Sequence, residues 1–202
     1  MSTTTTITTA QPKHQNGMYI ALVPWVLFTV IAEHSTLKLA SIAALVLGIG
    51  IALPGIRAGR PKAIEIGAAV AFTGFTIAAF AVDANSAHWL TRYARAIAAA
   101  LLALIAYGSL LFTPFTEQYA REQVPQQFWG SARFKSINRQ LTALWAHVFS
   151  LMVISHIIAG TINRHGTNIV FNWVIPILLV LGAMKKVPEI AHEGEHGTTV
   201  AG

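Results

Sequence analysis

There is no cysteine among these 202 residues, and there is little charge. The first absence excludes disulfides, iron–sulfur clusters, thiolate zinc sites and cysteine nucleophiles. The second bounds the solvent. With 11% charged against 54% hydrophobic residues and a mean hydropathy of +0.55, the chain is too apolar to bury its carbon surface in one soluble core. A Walker loop and a nucleophile elbow are missing as well. No carboxylate sits in the middle of an apolar run: Glu33, Glu65, Asp83 and Glu117 all fall near run ends, whereas ion-coupled carriers need an ionisable group where the substrate crosses. Glu33 and Asp83 are placed instead to pair with Arg92 and Arg95 at an interface. No catalytic centre is expected, which leaves a scaffold or binding role ahead of a small-solute carrier or permease.

What is present is a series of six apolar runs, at about 18–33, 39–56, 63–82, 95–113, 140–161 and 169–184. A helix needs roughly 20 residues to cross the hydrocarbon. Backbone groups in lipid must be satisfied internally, and the alternation of a barrel strand is absent, so the expected fold is an all-α polytopic bundle of about six transmembrane helices. The run from Met18 to Ala32 reads as a retained span, with no A-x-A-like cleavage site beyond it. Domain organisation follows: a polar tail over 1–17, the six-span domain over 18–186 with a connector at 114–139, and a second polar tail over 187–202, both tails expected to be unstructured.

The basic residues orient the bundle. Lys13, Arg57, Arg60, Lys62, Arg121, Arg133, Lys135, Arg139, Lys185 and Lys186 fall on one side, and only Lys38, Arg92, Arg95 and Arg164 on the other. Ten against four predicts both termini on the cytoplasmic side. Because Lys and Arg are scattered between apolar runs, the net charge of +6 indicates a membrane surface and no nucleic-acid partner. Small residues recur at helical spacing: Ala63, Gly67 and Ala71 on the third run, Ala94, Ala98 and Ala106 toward the fourth, Gly48 and Gly50 on the second. They predict close helix packing within one bundle, with a homo-oligomer face as the alternative. Pro54, Pro114 and the "MKKVP" exit of the last run, each with a basic residue nearby, suggest three helical hairpins.

The connector gathers Tyr119, Phe128, Trp129 and Phe134 among Arg121, Arg133, Lys135 and Arg139. Rings favour the headgroup layer and cations attract anionic lipid at about 1 kcal/mol each. A short helix around 115–123, a break at Pro125 and a second helical start are predicted, with Glu117 and Arg121 spaced for an ion pair. Tyr119, Arg121, Trp129, Arg133, Lys135, Asn138 and Arg139 are the candidate contacts to anionic lipid or a membrane-protein partner. The plain alternative is that they anchor the flanking spans.

The residues Pro114, Phe115, Thr116, Tyr119, Ala120, Arg121, Glu122, Pro125, Trp129, Phe134, Asn138, Arg139, Thr142 and Trp145 resemble a signature of small bacterial inner-membrane proteins akin to the intracellular septation protein A group. The resemblance covers about a third of the chain. It implies a multi-pass protein of the bacterial inner membrane, tied to envelope or division machinery, and it implies no catalytic residues.

Two histidines lie within the fifth run. Nine residues apart, His147 and His156 point to nearly opposite faces about 13 Å apart along the axis, so one helix cannot present both to one metal. Both are expected as buried, hydrogen-bonded side chains. A haem held by His156 with His34 or His88 is the minor alternative and would make the protein a single-haem membrane oxidoreductase. In the tail, "HEGEH" departs from a zincin motif because Gly194 discourages the helix, so no metal site is expected there.

Overall fold

The computed structural model describes residues 17–196, apart from the side chains of Ala84, Asn85 and residues 192–196. Most of the expected N-terminal tail, and the end of the C-terminal one, lie outside the described residues. Those described form an all-α bundle: α1 (Gly17–His34), α2 (Leu37–Arg57), α3 (Ala63–Ala81), α4 (Ala84–Ser109), α5 (Phe115–Ala120), α6 (Ala132–Ile162), α7 (His165–Ile169) and α8 (Ile175–His196). A 3₁₀ turn, Gln126–Phe128, precedes α6, and a π-helical turn, Val170–Val174, joins α7 to α8. Six of these segments are long and apolar enough to cross a membrane. The protein is a polytopic membrane helix bundle.

The helices pack serially, α1 on α2, α2 on α3, α3 on α4, α4 on α6 and α6 on α8. The tightest pairings, α4 with α6 and α2 with α3, cut across the three hairpins that the proline pattern suggests. Small residues make these approaches possible. A Cβ on Gly67 would run into Ile105 Cδ1, and one on Gly160 would come within 2.7 Å of the Tyr93 ring. Ala94, Ala98 and Ala106 are all buried. Between the two ends, Trp25, Phe28, Phe72 and Phe75 fill the space between α1 and α3, with ring centroids 4.6–6.2 Å apart.

Three expectations need correction. The fourth helix begins eleven residues before the expected run, because Asp83 accepts a 2.7 Å hydrogen bond from Ser86 N and caps it; Arg92 therefore rides on a helix instead of in a loop, and Arg95 lies well inside that helix instead of at its start. Pro54 and Pro188 do not end their helices. Each forfeits one backbone hydrogen bond while the helix continues, so the first ten residues of the expected C-terminal tail, 187–196, are helical.

The chain reverses at Ser35–Thr36, Val82–Asp83 and Asn163–Arg164 at one end of the bundle. It reverses at 58–62 and 110–131 at the other, here called the connector end.

Candidate functional site

The connector does not lie loosely beside the bundle; it is bonded to it. Phe115 N donates to Ser109 Oγ at 3.0 Å. Thr116 donates from its backbone N to Thr142 Oγ1 at 3.3 Å, and its hydroxyl bonds Asn138 O and Thr142 Oγ1, each at 2.8 Å. Gln118 Oε1 accepts from Ala63 N at 2.7 Å, filling an orphan donor at the start of α3 that the Lys62 side chain does not cap. Trp129 Nε1 donates to Val124 O at 2.8 Å and closes the turn after Pro125.

Beneath this seam lies an ionic cluster. Lys62 Nζ sits 3.6 Å from Glu65 and 2.8 Å from Glu122, over the Tyr119 ring, and Tyr119 Oη donates to Glu65 at 3.4 Å. Burial, with the Glu65 carboxylate close by, holds the Tyr119 phenol well above its usual range, so it stays a donor. Arg121 pairs with the buried Glu117 at 2.6 Å and stacks on Trp129, the ion pair that the four-residue spacing predicts. A cleft of about 350 Å³ opens here between Arg60, Lys62, Arg121, Glu122 and Trp129.

The seven connector candidates separate by exposure. Tyr119 and Asn138 are only 4% and 3% exposed, which removes both from any direct contact with lipid. Asn138 turns inward because its amide donates to Phe134 O, one turn back on α6. Arg133, Lys135 and Arg139 are exposed on the first two turns of α6, while Arg121 and Trp129 are half-buried against each other. Of the residues that carry the signature, Phe115, Thr116, Tyr119, Phe134, Asn138, Thr142 and Trp145 are buried, and several make the seam of α5 on α6.

A second polar cluster occupies the opposite half of the bundle. Arg95 pairs with Glu33 at 2.5 Å and donates to Thr29 O at 3.2 Å, and Trp173 Nε1 donates to the same Glu33 oxygen at 2.7 Å. His156, buried, bonds Asn172 Oδ1 through Nδ1 at 2.9 Å. The π-helical turn places Asn172 and Trp173 there. Pro176 has no N–H to give Phe171 or Asn172, so the helix widens: Ile175 N reaches back five residues to Val170 O, and the orphaned Phe171 O accepts from Ser155 Oγ at 2.6 Å. Sequence reasoning anticipates the partnering of Glu33 with Arg95 but misses Asn172 and Trp173. The usable signal was the proline early in an apolar span. Asp83 caps α4 through Ser86 N, and Arg92 bonds Gly160 O and Thr161 O.

His147 corrects the expectation of two buried histidines. It is exposed on the flank of α6, its Nδ1 bonded to Ala143 O of its own helix and its ring edge-on to Tyr107. His34 likewise bonds Val30 O of its own helix, and His88 lines an open cleft beside Arg92. Among the described residues no group of three or more histidines and carboxylates gathers as metal ligands. The side chains of His192 and His196 lie outside the described residues.

No protein-family model, curated protein or solved structure matches the chain. Its function is therefore read from its own geometry.

Proposed function

We propose that this is a membrane scaffold whose connector end is a rigid basic platform for the anionic lipid surface of one leaflet. The observation that carries the reading is the bonded seam of α5 on α6 and α3. It fixes the start of α6, so Arg133, Lys135 and Arg139 are held in place instead of trailing on a loop. Arg57, Arg60, Lys185 and Lys186 are exposed at the same end, and Phe128 is half exposed beside them. Seven exposed cations with an interfacial ring are the combination that headgroups of negative charge attract. The excess of cations at this end also favours placing it on the cytoplasmic side.

The test uses protein embedded in nanodiscs of mixed zwitterionic and anionic lipid. Replacing Arg133, Lys135 and Arg139 together by Gln is expected to lower the anionic lipid retained on extraction, counted by mass spectrometry. Unchanged retention would reduce the connector to a plain anchor. Resemblance to the septation protein A group supports a further step, that the platform serves an envelope or division assembly in the bacterial inner membrane. A photoreactive residue at position 133 tests it in intact cells: a discrete protein adduct supports an assembly partner, and adducts to lipid alone argue against one.

A further inference from the structure

The end of the bundle opposite the connector holds the larger cleft, about 800 Å³, where the 35–36 turn, the end of α3, the start of α4 and Asn163 meet. Its polar wall carries Lys38, His88 and Arg92, together with Thr36, Thr91 and Asn163, and none of the described lining residues is acidic. The carboxylates closest along the chain are engaged: Glu33 by Arg95 and Trp173, Asp83 by Ser86 N. Arg92 is pre-positioned by its bonds to Gly160 O and Thr161 O at the end of α6, and Lys38 is held over the Phe80 ring at 4.8 Å. The remaining wall is carbon, from Leu37, Ala79 and Ala87.

We propose that this cleft binds the phosphate group of an anionic phospholipid. Lys38 and Arg92 supply the charge, His88 and Asn163 supply further polar contacts, and the apolar wall takes the first carbons of the chains. Volume separates this ligand from a bare ion: about 800 Å³ lies in the range that drug-sized ligands fill. Position separates it from a soluble metabolite, because the cleft opens where the helices end and the headgroup layer begins. The site is distinct from the basic platform, at the other end of every span.

The experiment titrates the full-length protein in mild detergent with dioctanoylphosphatidylglycerol, following bound lipid by native mass spectrometry. Parallel titrations use dioctanoylphosphatidylcholine and inorganic phosphate. Apart from lipid held at the connector platform, one saturable phosphatidylglycerol site is expected, weakened about fivefold or more in Lys38→Gln/His88→Gln. Arg133→Gln/Lys135→Gln should lower only the platform lipid and leave this saturable site in place, and Lys38→Arg/His88→Gln should restore it. Both altered side chains are exposed, so the fold is expected to survive, and the melting temperature checks it. Wild-type affinity in the Gln variant would overturn the proposal, as would a site lost only in the Arg133 and Lys135 variant. Displacement by inorganic phosphate at equal concentration would make the ligand a free anion and overturn the lipid assignment.

Discussion

Single side chains differ sharply in what they hold. At Gly160 an added methyl meets a Tyr93 ring that packs on the Trp89 ring at 5.2 Å, whereas at Gly67 it meets only the flexible end of Ile105. Gly160→Ala is expected to destabilise the protein in detergent by about 1–3 kcal/mol, read as a lower melting temperature, with Gly67→Ala costing less. Equal losses would show that Tyr93 yields as freely as Ile105. Tyr119 carries a pH prediction. Its phenol is raised in the folded state, so the folded protein keeps a proton that the unfolded chain, titrating at about pH 10, gives up. That contribution is fully present below about pH 10 and is lost as pH rises beyond it. Tyr119→Phe should cost about 1 kcal/mol at neutral pH and flatten the alkaline decline in melting temperature; a parallel decline in both proteins would place the titrating group elsewhere.

At the scale of one element, the π-helical turn is the clearest case of a device set by one residue. Pro176→Ala restores an N–H, lets the turn close to α-helical spacing and rotates Asn172 away from His156. The chain has no cysteine, so the pair His156→Cys/Asn172→Cys is a clean reporter. It should cross-link in the parent and lose most of that cross-link when Pro176→Ala is added; retention would mean that the turn is set by Ser155 and Phe171 instead. Element existence was legible because apolar runs of span length dominate the chain, and the connector's helix, break and restart were legible from Pro114 and Pro125. Helix ends were not. The cap at Asp83 and the helix beyond Pro188 depend on local hydrogen bonds that hydropathy does not register. Exposure within the connector was hidden for a related reason: Tyr119 and Asn138 read as interfacial by type, but α3 and α6 supply buried partners for them from 54 residues before Tyr119 and from the preceding turn of α6.

For the whole molecule, cysteines introduced at Arg60 and Arg133 should be labelled from the same side of the membrane, and one at Arg164 from the other. Labelling of Arg60 and Arg133 from opposite sides would break the six-span order. The order of spans was readable because six runs and an uneven distribution of cations agree with each other, while most of the two polar clusters was not: one joins Lys62 and Glu65 to Tyr119 and Glu122 of the connector, and the other brings Asn172 and Trp173 of the π-helical turn to α6 and α1, across long stretches of chain. The spans are also unequal: α1 and α3 have 18 and 19 residues, α4 and α6 have 26 and 31. At 1.5 Å per residue these are heights of about 27 and 28 Å against about 39 and 46 Å. A bilayer whose hydrocarbon is about 30 Å thick meets a short wall beside α1 and α3, while the polar ends of α4 and α6 stand in the headgroup layers, so the sheet thins locally beside the short helices or the bundle tilts. The thickness of the surrounding membrane therefore becomes a mechanical load on this protein, one that biases it toward thinner regions of the sheet and gives lipid chain length a direct hold on its tilt.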